Sequence, residues 1–222
     1  MTINQPVDFT VPDTAGAAST GRRRRLLTVT GAIGIGYTLS WIAGLAIPAP
    51  SPKFSASGAQ IVSAIAGHAP ALAVQFALTE GLPAAGIAVV AIALAKITGS
   101  RLAMAAGVTA AAISVLQFCL GTWLAATSSP ATAHALYQMV NRMDGVKMLA
   151  LAVLGAAAAA ALVLPRWLRY TGAALAVAIA TSGVVYLLLL QSLALLAGPA
   201  LVLLLIFITG AGVWLGRDVR GR

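Results

Sequence analysis

The stretch PALAVQFALTEGLPAAGIAVVAIALAK, residues 70–96, decides what kind of protein this is. Glu80 is the one charged side chain in it before Lys96 closes the run. A helix needs roughly 20 apolar residues to cross the hydrocarbon core of a bilayer, and this run exceeds that length. The same density recurs along the chain. Of its 222 residues, 60% are hydrophobic and 9% are charged, too few charges to cover a soluble domain of this size. Apolar segments fall at 26–48, 70–96, 102–126, 144–165, 169–190 and 193–216. The expected fold is therefore all-α, a polytopic bundle of six transmembrane helices with the lipid bilayer as its solvent.

Cations set the orientation. With the N-terminus in the cytoplasm, the inner side holds Arg22, Arg23, Arg24, Arg25, Lys96, Arg101, Arg166, Arg169, Arg217, Arg220 and Arg222. The outer side holds Lys53, Arg142 and Lys147. This bias predicts both termini inside. The net charge of +9 sits between apolar segments instead of along a stripe, so nucleic acid is not an expected partner. Residues 1–25 are polar and too poor in apolar side chains to fold alone, which predicts a disordered tail; 217–222 form a short basic one. RRRRLLTVTGAIGIG (22–36) also fits the start of a cleaved export signal of twin-arginine type. Against that, its apolar run is long enough to span, and AIPAPS (46–51) lacks a clean small-x-small cleavage site.

Both longer outer loops carry helical patterns. SASGAQIVSAIAGHAP (55–70) has Ser57 as a cap and Ile61, Val62 and Ile65 on one face. ATAHALYQMVNRMD (131–144) places Leu136, Met139, Val140 and Met143 at i, i+3, i+4 and i+7. Each is expected as a short amphipathic helix on the outer surface or capping the bundle. Inner loops of about four residues leave no room for a catalytic domain. In the first crossing, Gly36, Ser40 and Gly44 fall four apart and predict one smooth packing face. Cys119, the only cysteine, excludes a disulfide or thiolate metal site within one chain and reads as a packing residue.

Glu80 lies about nine residues into its crossing, or ~14 Å at the helical rise, near the bilayer midplane. A carboxylate there is costly unless paired, hydrated or protonated, so the position suggests a proton site, a cation ligand or a buried hydrogen-bond hub. Counting residues from the outer ends puts Tyr37 and Gln117 at the same depth, with Gln75 and Trp41 a turn or more farther out. Pro83 frees a carbonyl near Thr79, and helix breaks of this kind line polar cavities. At the start of the fourth crossing, Asp144 and Lys147 are three apart and suit a local ion pair and a helix N-terminus. They also suit a polar outer mouth, with Arg142 and Tyr137 at its rim. His68 and His134 fall in outer segments without carboxylate or thiolate company, so neither metal nor haem is expected.

LTEGLPAAGIAVVAIAL (78–94), MDGVKMLALAVLG (143–155) and LPRWLRYTGAALA (164–176) resemble an uncharacterised family of bacterial six-helix integral membrane proteins. The resemblance covers most of 26–216. It implies an acid in helix 2, here Glu80; an aspartate opening helix 4, here Asp144; and a PRWL turn before helix 5, here Pro165 to Leu168. Members often carry further acids in the third crossing and near the sixth, where this chain reads SVLQFCLGTW (114–123) and LVLLLIFITG (201–210). The resemblance implies a location in the bacterial cytoplasmic membrane and no established reaction.

Two functions are consistent with these residues. One is binding, extending to transport, of a small solute, cation or proton at an outward-opening pocket around Glu80. The other is a non-catalytic membrane subunit whose Gly36–Ser40–Gly44 face and outer helices meet a second copy or another membrane protein. No cofactor is implied, and no recognisable catalytic set argues for an enzyme.

Overall fold

A computed structural model describes the backbone of residues 14–217 and the side chains of 29–217. The expected tail residues 1–13 and 218–222, including Arg220 and Arg222, lie outside the described residues, as do the side chains of Arg22 to Arg25. All the described secondary structure is helical: α1 (Thr14–Leu45), α2 (Gly58–Ile65), α3 (Ala69–Phe76), a π-helical turn (Ala77–Gly81), α4 (Leu82–Thr98), α5 (Arg101–Ala126), α6 (Pro130–Ala160), α7 (Arg166–Leu187), a 3₁₀ turn (Gln191–Leu196) and α8 (Ala197–Arg217). Five continuous helical stretches are long and apolar enough to cross a membrane: Ala69–Thr98, Arg101–Ala126, Pro130–Ala160, Arg166–Leu187 and Gln191–Arg217. The apolar part of α1, Val29–Leu45, is shorter.

Helix boundaries correct the sequence reading in two places. The first helix begins at Thr14, within the stretch expected to be disordered. Alanine and arginine there are strong helix formers and run directly into the apolar segment. The second correction matters more. Residues 131–143 are not a separate surface helix; they are the first half of α6, which runs unbroken for 31 residues from its N-cap Ser129. Pro130 occupies the first turn, where proline is tolerated, and no breaker follows. Asp144 is thus mid-helix and caps nothing. The other outer helix, α2, forms as expected: Ser57 accepts from Gln60 N and the Gln60 side chain returns to Ser57 N, a complete capping box.

Neighbouring helices approach at small residues. A Cβ on Gly155 would lie 2.8 Å from Gly172 O, and one on Gly145 2.7 Å from Gly183 O, so α6 and α7 run antiparallel with backbones touching at two levels. Between α1 and α8, the Thr38 and Thr209 hydroxyls are 2.6 Å apart, and Thr209 Oγ1 donates to Gly34 O at 3.0 Å. Trp167 lays its ring edge beside Gly210, and Arg169 Nε donates to Ala159 O at 3.0 Å. Traced through these contacts, Lys96, Arg101, Arg166, Arg169 and Arg217 gather at one end of the bundle. Cys119 corrects its packing assignment: it is exposed on the outer face of α5.

The interior divides into two apolar clusters. The larger holds Ile87, Leu94, Leu151, Leu154, Leu168, Ile179 and Phe207 among others. The smaller, nearer the α2 end, joins Ile61 and Ile65 of α2 to Leu72, Leu124, Ala133 and Leu136. So α2 caps the bundle with its apolar face inward. On three helical stretches polar residues fall between the two clusters: Thr79 and Glu80, Ser114 and Gln117, Asp144 and Lys147.

Candidate functional site

The π turn places the acid. Leu82 N reaches back five residues to Ala77 O, and Pro83 has no N–H to continue that register to Leu78 O. The vacant carbonyl is taken by Ser40 of α1, whose Oγ donates to Leu78 O at 2.5 Å. Gly44 makes this approach possible, since a Cβ there would sit 2.6 Å from Thr79 Cγ2. Ser40 and Gly44 therefore pack inside the chain, while Gly36 is exposed with nothing near it, which breaks up the smooth face expected of α1.

Glu80 is 6% exposed, and both its oxygens accept from Lys147 Nζ at 2.8 Å. Lys147 also holds Asp144 Oδ1 at 2.6 Å, the i,i+3 pair expected on α6. The lysine is not at an outer rim. It is 5% exposed, because α6 starts far upstream of Asp144 and carries Lys147 into the bundle. Gln117 completes the set: its Nε2 donates to Val140 O at 3.1 Å and to Asp144 Oδ1 at 3.4 Å. Ser114, fully buried, lies against the Glu80 carboxylate. With all three groups ionised the cluster carries one net negative charge. Among the described residues, Gln117 Oε1 is buried without a hydrogen-bond partner.

A cavity of about 230 Å³ opens beside the cluster. Glu80, Gln117 and Asp144 contribute its polar wall; Ile61, Ile65, Leu72, Phe76, Leu124 and Val140 its apolar one. Gln75 and Asn141 line it, and residues 49–52 close over it together with Tyr137. Tyr137 donates its hydroxyl to Pro52 O, which ties that segment down. Farther along, Phe54 N donates to Gln191 Oε1 at 2.7 Å, and the Phe54 ring meets Tyr186 edge-on at 5.2 Å.

Of the residues singled out in the sequence, Glu80, Gln117, Gln75, Asp144 and Tyr137 meet at this cavity. Tyr37 is buried against Gly86 and feels the charges of Lys147 and Glu80 without lining the space. Trp41 packs on the larger apolar cluster. Arg142 points away: it is exposed and lines nothing here. Ser114 and Asn141 are not singled out by the sequence, since a lone hydroxyl or amide inside a helix carries no distinctive spacing, and Ser40 enters there only as part of a packing face. His134 anchors the 49–56 segment through Ala56 O at 3.2 Å and pairs with Gln138 at 2.9 Å, whereas His68 turns to Ala66 O at 3.0 Å.

Chemically, the arrangement holds charge and presents hydrogen-bonding groups to a small enclosed volume. That is the equipment of a binding site. Comparison with protein-family models, curated proteins and solved structures returns no match.

Proposed function

We propose that this chain is a six-span protein of the bacterial cytoplasmic membrane, both ends inside, that binds a small solute in an outward-facing cavity above the Glu80–Lys147–Asp144 cluster. Transport of that solute is the natural extension. The topology is supported by the gathering of Lys96, Arg101, Arg166, Arg169 and Arg217 at the end of the bundle opposite α2. The likeness in Glu80, Asp144 and the PRWL turn supports membership of the six-helix family.

One observation carries the binding reading: the buried charge cluster forms a wall of the cavity instead of being sealed within packed side chains. A cluster kept only for stability would gain nothing from facing open volume, because apolar packing does as well or better than a buried ion pair. The rival role, a subunit docking through Gly36, Ser40 and Gly44, has less support, since Ser40 and Gly44 already pack on the π turn.

Cysteine accessibility tests both parts. In a Cys119→Ala background, a membrane-impermeant maleimide added to intact cells labels Ser51→Cys and spares Ser100→Cys. A small hydrophilic thiosulfonate reaches Ile65→Cys on the cavity wall. Labelling of Ser100→Cys from outside overturns the orientation, and an inert Ile65→Cys overturns the open cavity.

A further inference from the structure

Hydrogen-bond accounting around the cavity narrows the ligand. Most of its side-chain donors already serve protein acceptors, although Asn141 and Gln75 each keep a second N–H. Gln117 Nε2 serves Val140 O and Asp144 Oδ1. Tyr137 gives its hydroxyl proton to Pro52 O, Asn141 Nδ2 donates to Tyr137 O at 2.7 Å, and Gln75 Nε2 reaches Gly44 O at 3.5 Å. Lys147 spends itself on both carboxylates. Its acceptors are a different matter. Gln117 is 2% exposed and its Oε1 has no partner. The amide cannot be turned over to relieve this, because Val140 O and Asp144 Oδ1 are both acceptors and require the NH₂ group where it is. Asp144, whose Oδ1 meets Gln117 and Lys147, puts its carboxylate on the same wall.

A buried acceptor left unmade is costly, and a wall that carries two carboxyl groups and an unpartnered amide oxygen is complementary to a cationic donor. The remaining lining says what is attached to that cation. Leu72, Phe76, Leu124 and Val140 face the same space, and the volume of about 230 Å³ far exceeds the roughly 30 Å³ of a single water. A bare metal ion would leave the apolar wall wet.

Resting on the reading of this cavity as a solute site, we propose that it takes a small organic cation: a protonated primary amine on a short apolar body. The ammonium group donates to Gln117 Oε1 and the Asp144 carboxylate, and its carbon chain lies along Leu72 and Phe76.

The probe is n-butylammonium, compared with n-butanol, butyrate and sodium chloride at constant ionic strength. The readout is the unfolding midpoint of the purified full chain in nanodiscs, with protection of Ile65→Cys from thiosulfonate as a second measure. Butylammonium raises the midpoint saturably and protects the cysteine; butanol and butyrate do neither at the same concentration. Asp144→Asn weakens the apparent affinity about tenfold or more. Ala49→Trp, which fills the entrance without touching the charges, abolishes the effect. Butanol, butyrate or sodium matching butylammonium overturns the ammonium assignment while leaving a solute cavity in place. So does the absence of any butylammonium effect when Ile65→Cys remains reactive. An unreactive Ile65→Cys instead removes the cavity reading beneath it.

Discussion

Replacing Lys147 with methionine is expected to destabilise the protein by about 3–5 kcal/mol, the range for stripping a buried ion pair of one partner. Lys147 is the only cation contacting Glu80 and Asp144 among the described residues, at 2.8 Å and 2.6 Å. Without it, two carboxylates share an interior with no counter-charge. Glu80→Gln is milder, about 1–3 kcal/mol, because Asp144 still neutralises the lysine. The double change Glu80→Gln with Lys147→Met removes both charges and recovers at least half of the loss, since an absent pair costs less than a broken one. Unfolding by detergent titration measures all three. Equal losses for Lys147→Met and the double variant would show that the pair is not what the helices are organised around.

That pair is also where sequence reading fell short, for a reason that can be located. The acid itself was legible: Glu80 interrupts an uncharged run, and Pro83 announced the break that became the π turn at Ala77–Gly81. Gln117 and Gln75 followed from counting residues along straight helices. Lys147 did not, because its depth was counted from a helix assumed to begin at Asp144. The true start, at Pro130, lies four turns upstream at the helical rise. Amphipathic spacing over Leu136 to Met143 looked like a surface helix; its buried members Leu136 and Val140 face the interior at one end of a longer helix, while Met139 is exposed. A pattern that ends where a second begins in phase is a continuing helix, and only tertiary contacts distinguish it from two. Ser40 is a different case. Its role depends on a carbonyl freed 38 residues away, which no local pattern records. The fold class needed only composition and the lengths of the apolar runs; the site needed the register between helices.

Register between α6 and α7 depends on four glycines, and Gly155→Leu is expected to cost about 3 kcal/mol or prevent correct assembly, at the upper end of overpacking effects. The obstruction is backbone on the far side: the new Cβ would meet Gly172 O at 2.8 Å and Ala176 N at 3.3 Å, and neither can rotate away as a side chain would. The helices must separate along their length. Separation would propagate to the site, because the second contact, Gly145 against Gly183, neighbours Asp144 and Lys147 on α6. Gly155→Leu should therefore lower both the unfolding midpoint and the midpoint shift given by butylammonium. Gly36→Leu is the control. Nothing lies within 4 Å of a Cβ at Gly36, so the same substitution there, in a helix of the same bundle, changes stability by less than about 0.5 kcal/mol. If the two variants unfold alike, close backbone contact does not set the α6–α7 spacing, and the depth of Lys147 would need another cause.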